Sequence, residues 1–107
     1  MSAVTGQADA TLAEGVSAKS LVLQAGDQTH VFRTDFTAGR QGNLPLSDEV
    51  ASGHHALFQF AHGFWYVQDL NSTNGTWLNG RRIYQAQRLK KNDKIRMGHT
   101  TMTVVSA

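Results

Sequence analysis

Apolar residues recur at every second position in several short runs of this 107-residue chain, and no long helical period competes with them. Turn-forming residues separate the runs, and the two Asn-Gly pairs among them favour type I′ hairpin turns. Many short strands at this spacing, with one proline in the whole chain, predict an all-β fold, an antiparallel β-sandwich. The alternating runs lie at 21–25, 56–60, 65–67, 95–97 and 102–104.

The length of the chain fits one ordinary domain with its own core. Residues 1–18 are small and polar, so we expect a flexible N-terminal tail there and a folded domain over 19–107. The chain has no cysteine, which excludes disulfides and thiolate metal sites and fits a reducing cytoplasm. No run approaches the roughly 20 apolar residues that span a bilayer, and the start lacks the features of a secretory signal. We therefore expect a cytoplasmic domain without membrane insertion.

Positive charge is concentrated in one part of the chain. Seven of the ten basic residues fall within 81–96, where Asp93 is the one acidic residue. Such a stretch can be a solvated strand edge guarded by Lys and Arg, or a positive field for an acidic or phosphorylated ligand. Nucleic acid is a third possibility. It is disfavoured because Trp77, Tyr84 and Met97 do not form an aromatic row interleaved with the charges in the sequence.

Two turn-like segments upstream carry polar side chains that suit an anion. Arg40 follows Gly39 at the end of a strand-like run, where a guanidinium can present a planar fork to a phosphate. Ser52 offers a hydroxyl, although loop serines commonly cap turns. His55 suggests a base or a metal ligand, but a structural histidine that fixes a loop by hydrogen bonds to the backbone is the more usual case.

A third segment holds Thr73, Asn74 and Gly75 at a tight turn. Thr73 can donate a hydroxyl hydrogen bond. The amide of Asn74 has both a donor and an acceptor, so it can pair with the backbone of an extended peptide without reading its side chains. The simpler alternative is that Asn74 only tolerates the left-handed conformation of an Asn-Gly turn.

In this order and spacing, the segments closely resemble the forkhead-associated (FHA) family over about residues 20 to 105. The resemblance implies a non-catalytic module that binds phosphothreonine in an extended peptide, with ligand loops at one end of the sandwich and no cofactor or metal. The partner would be a phosphothreonine-containing protein, a Ser/Thr kinase or its substrate. The matching elements are Gly39-Arg40, Ser52-x-x-His55, the run 69–76, Asn79-Gly80 and the segment 89–98.

The resemblance also assigns roles to individual residues. Arg40 and Ser52 would hold the phosphate, Thr73 would lie beside it, and Asn74 would bind the peptide backbone next to the phosphothreonine. The residues that would support the site without touching the ligand are Gly39, His55, Gly75 and Asn79.

Two positions depart from the family pattern. Gly53 stands directly after the serine, where the family often has a basic residue, so one possible phosphate contact is missing. The family's Gly-Asp pair before the last strands is here Asn92-Asp93. Asparagine tolerates positive φ, so we expect that turn to be preserved.

Enzymatic and metal-binding alternatives are weaker. Ser52, Asp69 and one of the five histidines could be imagined as a hydrolase triad, but the chain has no Gly-x-Ser-x-Gly elbow. His54 and His55 are adjacent, so on a strand they would point to opposite faces and could not share a metal.

A more serious alternative is an interaction domain that keeps the sandwich and binds its partner independently of phosphate. The presence of Arg40, Ser52, Thr73 and Asn74 together favours phosphate-dependent binding. The sequence leaves open whether Thr5 or Thr11 is phosphorylated and occupies the site in cis.

Overall fold

The computed structural model describes residues 19–107, so the predicted tail at 1–18, with Thr5 and Thr11, lies outside the described residues. Within that range the chain forms eleven strands, and no helix there is long and apolar enough to cross a membrane. The strands are β1 (Leu21–Ala25), β2 (Gln28–Phe32), β3 (Phe36–Gly39), β4 (Leu44–Pro45), β5 (Ala56–Ala61), β6 (Phe64–Asp69), β7 (Thr76–Leu78), β8 (Arg81–Arg82), β9 (Gln87–Arg88), β10 (Lys94–Met97) and β11 (Thr100–Ser106).

The strands form two sheets, which confirms the predicted β-sandwich. The six-stranded sheet has the order β2-β1-β11-β10-β7-β8, and the five-stranded sheet has the order β4-β3-β5-β6-β9. All pairings are antiparallel except the two-residue parallel contact between β3 and β4. The inner faces of the sheets enclose one hydrophobic core.

The predicted alternation places the expected residues in that core. Leu21 and Leu23 of β1 are fully buried, as are Trp65 and Val67 of β6, whereas the residues between them are at least partly exposed. A fully buried side chain of this size stabilises the fold by about 1.5 to 3 kcal/mol relative to an exposed one. A one-residue register slip would turn these side chains to solvent, so the burial fixes the strand register.

The strand register gathers the loops into two groups, one at each end of the sandwich. Met97 pairs with Thr76 and Ile95 pairs with Leu78, so the turn after β10 lies beside the loop before β7. The end that contains the loops 40–43, 46–55 and 70–75 also contains the turn at 98–99. Each of the three predicted ligand loops therefore leaves the same end of the sandwich.

The predicted turn chemistry is confirmed at two places. Asn79 and Gly80 have φ values of 52° and 83°, as a type I′ hairpin turn requires. Asn92 has a φ of 76°, so asparagine does preserve the turn in which the family has glycine. Asn74 differs, because it is absent from the residues with positive φ in the described range, and only Gly75 after it is left-handed, with a φ of 84°.

Candidate functional site

The first loop of the candidate site is held directly against the second. Gly39 ends β3, and the backbone N–H of Arg40 donates to the carbonyl of Ser52 at 3.1 Å. A Cβ on Gly39 would lie 2.8 Å from both the nitrogen of His55 and the carbonyl oxygen of Ser52, and closer still to the carbonyl of Gly53. Because the neighbouring atoms are backbone, only glycine allows the two loops to approach this closely.

The Arg40 side chain is exposed and oriented by one hydrogen bond. Its Nε donates to the carbonyl oxygen of Ala51 at 2.8 Å. Within residues 19–107 this is the hydrogen bond that the guanidinium makes, and its two terminal NH2 groups remain available to solvent or to a ligand. An exposed cationic fork is thus fixed beside the 46–55 loop.

Ser52 links the second loop to the third. Its half-buried hydroxyl oxygen accepts a hydrogen bond from the backbone N–H of Thr73 at 3.1 Å. Because the oxygen acts as the acceptor in this contact, the hydroxyl proton can still be donated elsewhere. Ser52 and Thr73, distant in sequence, are therefore adjacent in space.

His55 is fully buried between the same two loops. Its Nδ1 accepts from the backbone N–H of Ser52 at 3.0 Å, and its Nε2 lies 2.8 Å from the carbonyl oxygen of Gly75. A carbonyl can only accept, so Nε2 carries the proton and the ring is the neutral Nε2–H tautomer. This geometry is that of a histidine that cross-links two loops, as the sequence predicted, while the adjacent His54 is exposed.

Asn74 reaches across the site. Its Nδ2 donates to the carbonyl oxygen of Val50 at 3.1 Å, and its backbone carbonyl accepts from the indole N–H of Trp77 at 3.2 Å. The side chain is exposed, and the residue does not adopt the left-handed conformation. The interpretation of Asn74 as a conformationally tolerant turn residue is therefore wrong, because Gly75 fills that role.

Asp69 organises the loop that carries Thr73 and Asn74. Its carboxylate accepts hydrogen bonds from the hydroxyl of Ser72 at 2.5 Å, the N–H of Ser72 at 3.1 Å and the hydroxyl of Thr76 at 2.7 Å. Burial raises the pKa of Asp69, but the hydrogen bonds from Ser72 and Thr76 outweigh it and bring the pKa below its ordinary value. Asp69 is thus an ionised loop organiser and does not orient a catalytic histidine.

Asp48 is a supporting residue that the sequence analysis missed. Its carboxylate accepts from the hydroxyl of Thr100 at 2.6 Å, the N–H of His99 at 2.8 Å and the N–H of Val50 at 3.0 Å. The hydrogen bond from Thr100 is the largest cause of its lowered pKa. The short-range contact with Val50 is an Asx-turn that Ser47-Asp48 could have suggested. The contacts with His99 and Thr100 anchor the 46–55 loop to the β10–β11 turn.

Asn79 lies elsewhere. Its side chain accepts from the N–H of Lys94 at 2.8 Å and donates to Asp93 at 3.0 Å, so it supports the 90–94 turn. That turn is at the opposite end of β7 from Gly75. Of the residues assigned from the resemblance, the ones that meet at one end of the sandwich are Arg40, Ser52, Thr73, Asn74, Gly39, His55 and Gly75.

The assembled end presents one guanidinium fork, two hydroxyls and one carboxamide to solvent. These groups suit an oxyanion placed beside an extended polar backbone. These groups do not suit a metal ion. Residues 19–107 contain no group of three or more His, Cys, Asp or Glu side chains that could hold one.

Comparison with known proteins identifies the family. A family model, that of the FHA domain, matches residues 36–98. FhaB of Mycobacterium tuberculosis is 39% identical over 59 residues, which cover 55% of this chain and 38% of FhaB. The oxoglutarate dehydrogenase inhibitor of Corynebacterium glutamicum is 35% identical over 92% of this chain and 74% of that protein.

The fold gives the same assignment. A solved FHA domain characterised for phosphothreonine-dependent interactions is 30% identical, with a TM-score of 0.75 over 83% of this chain and 98% of that structure. The chain belongs to the FHA domain family, whose domains are binding modules and not enzymes. It spans 38% of the length of FhaB, so it corresponds to one part of that larger relative.

Proposed function

We propose that this domain binds phosphothreonine in an extended segment of a partner protein through Arg40, Ser52, Thr73 and Asn74. The observation that carries the proposal is the convergence of these four side chains at one end of the sandwich, on three loops that are hydrogen-bonded to each other. Loops on a rigid scaffold are a usual place for a binding site.

The phosphate would be held by charge and by hydroxyl donors. A phosphothreonine carries about −1.5 to −2 charge at pH 7, so it requires a cation once water is displaced. Arg40 has its terminal NH2 groups free within the described part of the chain, and charge-assisted hydrogen bonds from them would be stronger than neutral ones. The Ser52 hydroxyl proton and the Thr73 hydroxyl would supply further donors.

The peptide backbone would be held by Asn74. Its amide is exposed and already oriented by the 3.1 Å contact with the carbonyl of Val50. His55, Asp48 and Asp69 fix the loops before any ligand arrives. A preorganised site loses less conformational entropy when it binds, and this favours affinity.

The partner that we propose is a Ser/Thr kinase or a substrate of such a kinase, because that chemistry produces phosphothreonine. The related FHA domain with phosphothreonine-dependent interactions supports this ligand class. We further propose that the domain comprises residues 19–107 with a tail at 1–18, and that it acts in the cytoplasm.

The direct test is an oriented phosphothreonine peptide library compared with its unphosphorylated counterpart. We expect retention of the phosphorylated library alone, with selection at positions next to the phosphothreonine. Equal retention of both libraries would instead indicate phosphate-independent docking on the same sandwich.

A matched pair of phosphothreonine and phosphoserine peptides tests whether the site holds the threonine methyl group in a small apolar pocket, as the family resemblance implies. One buried methyl group contributes about 0.8 kcal/mol by transfer from water, and more where its absence leaves a void. Phosphothreonine should therefore bind several-fold more tightly than phosphoserine in a calorimetric titration. Equal dissociation constants would show that no methyl pocket exists in this domain.

A further inference from the structure

Part of the basic stretch forms a row on the outer face of the six-stranded sheet. Arg96 of β10 pairs with Trp77 of β7, and Trp77 pairs with Arg82 of β8. Directly paired residues of neighbouring strands share a face, so the three side chains lie side by side. The alternate residues of β10, Ile95 and Met97, are fully buried on the inner face.

Aromatic rings alternate with the guanidinium groups along this row. The guanidinium of Arg96 lies 4.8 Å from the centre of the Trp77 ring, and that of Arg82 lies 5.5 Å from the centre of the Tyr84 ring. Tyr84 is 83% exposed. Tyrosine is enriched at protein interfaces, so an aromatic ring this exposed is a candidate contact for a partner. The sequence-based expectation that aromatic residues do not interleave with the charges is wrong for Trp77 and Tyr84. We call Arg96, Trp77, Arg82 and Tyr84 the arginine–aromatic row.

The arginine–aromatic row is continuous with the candidate site. The Trp77 indole donates to the carbonyl of Asn74 at 3.2 Å. The Arg82 side chain lies so close to Gly75 that a Cβ there would come within 2.9 Å of the guanidinium carbon. A cavity of about 320 Å³ lies between the start of the 70–75 loop and the row, and its lining residues are Asp69, Asn71, Ser72, Arg82, Ile83 and Tyr84.

The strands that carry this surface are basic. Strands β7, β8 and β10 contain four basic residues and no acidic residue. Asp93, beside β10, is 6% exposed and accepts hydrogen bonds from Asn79 and from the Lys90 N–H. The Asp69 carboxylate in the cavity accepts hydrogen bonds from the hydroxyls of Ser72 and Thr76. Arg82 and Arg96 are both exposed and lie in a positive field, and the Arg96 Nη1 donates one hydrogen bond to the carbonyl of Gly98 at 3.1 Å.

We propose that the arginine–aromatic row is a docking surface for an acidic segment of the partner protein, next to the phosphothreonine in the same chain. This inference rests on the proposed function. Carboxylates would pair with Arg82 and Arg96, whose fork geometry suits them, and the aliphatic parts of the segment would cover Tyr84 and Trp77. Because the phosphothreonine anchors the segment, its docking is intramolecular and requires only weak contacts.

The test compares three phosphothreonine peptides by calorimetry. One has neutral flanks, one carries a run of glutamates before the phosphothreonine, and one carries the same run after it. In one of the two orientations we expect an affinity gain of about five- to tenfold at low salt, as two exposed ion pairs would give. The gain should shrink as the salt concentration rises.

The variant Arg82→Gln/Arg96→Gln should abolish this gain. Its affinity for the neutral peptide should stay within about twofold of wild type, because that peptide offers the two arginines no carboxylate and exposed charges contribute little to affinity without a partner. The matched control, Arg33→Gln/Lys91→Gln, removes the same charge from exposed loops and should keep the gain. Because the gain is a ratio of two affinities measured on one protein, a general weakening of the phosphate site cancels.

Three results would overturn the inference. They are equal affinities for all three peptides, a gain that survives in Arg82→Gln/Arg96→Gln, or binding of a short single-stranded DNA that depends on these arginines while the glutamates add nothing. Failure of the proposed function is distinguishable, because wild type would then not bind the neutral phosphopeptide. In that case the inference falls together with the proposed function, because the docking requires the phosphothreonine anchor.

Discussion

The two Asn-Gly pairs at the ends of β7 have the same sequence and different structures. Asn79-Gly80 is a type I′ turn with both residues left-handed, and the Asn79 side chain supports the neighbouring 90–94 turn. In Asn74-Gly75 only the glycine is left-handed, and the asparagine side chain crosses to Val50 in another loop. One pair is determined by local turn chemistry and the other by contacts distant in sequence.

The difference separates a scaffold end from a binding end. At 79–80 both the oxygen and the nitrogen of the asparagine side chain form hydrogen bonds within the fold. At 74–75 only the side-chain nitrogen does so within residues 19–107, and the side-chain oxygen remains available to a ligand. Substitutions at the first end should therefore change stability, and substitutions at the second should change ligand binding.

The largest effect is expected at the binding end for Arg40→Ala. Its loss leaves a phosphate without its cation, and we expect phosphopeptide affinity to fall by about 2 to 4 kcal/mol. The fold should remain intact, because the side chain is exposed and makes one hydrogen bond, to Ala51. Calorimetry and circular dichroism check the two parts. Unchanged affinity in a folded variant would remove Arg40 from the site.

The asparagines themselves provide the sharpest test of the comparison. Asn79→Ala removes both side-chain hydrogen bonds and places alanine, which tolerates positive φ less well than asparagine, in the left-handed conformation. We therefore expect the free energy of unfolding to fall by about 2 to 3 kcal/mol, with peptide affinity unchanged. Asn79→Gly restores the conformation but not the hydrogen bonds, so it should recover part of the loss.

Asn74→Ala should do the reverse. We expect peptide affinity to fall by about 1 to 2 kcal/mol, with a smaller change in unfolding free energy, because the lost contact is exposed. Urea titration and calorimetry on Asn74→Ala and Asn79→Ala give the four numbers required. If both variants lost the same property, the division into two ends would be wrong.

A smaller effect concerns acid stability at the binding end. The folded-state pKa of Asp69 is lowered, so its ionised form stabilises the fold above the unfolded pKa of about 3.9. This contribution is lost as the pH falls through the lowered folded-state pKa. Urea unfolding between neutral and acidic pH should therefore show a weaker acid loss in Asp69→Asn than in wild type. Identical slopes would mean that other carboxylates dominate.

The smallest effect is expected at Gly53. Its φ lies outside the left-handed region, and a Cβ there would meet the Gln41 Oε1 at 3.3 Å, the end of a flexible side chain. Gly53→Ala should thus leave affinity unchanged. Gly53→Arg should add a phosphate contact worth about 0.5 to 1 kcal/mol after side-chain entropy and solvent screening. If Ala and Arg were both without effect in calorimetry, Ser52 would not lie beside the phosphate.

The sequence predicted the parts of the fold that depend on local pattern. Alternation identified the buried residues of β1 and β6, and turn chemistry predicted the positive φ of Asn79 and Asn92. The family resemblance selected Arg40, Ser52, Thr73 and Asn74, which do meet at one end.

The sequence could not predict which residues of different strands and loops become neighbours in space. The Asp48 contact with His99 joins residues 51 positions apart, and no local signal encodes it. The alternation of Arg96, Trp77 and Arg82 depends on the register of three strands from different parts of the chain. In sequence these residues look like separate charges and rings.

Because Trp77 donates a hydrogen bond to the backbone carbonyl of Asn74, its intrinsic fluorescence can report ligand binding at the candidate site. The chain has two tryptophans, and the other, Trp65, is fully buried in the core and donates to the carbonyl of Lys19. Indole emission shifts with the polarity around the ring, so Trp77 senses the loop that holds Asn74, whereas Trp65 senses the integrity of the core. Quenching or a wavelength shift on titration, with the Trp65 contribution constant, would report occupancy of the site without any attached dye.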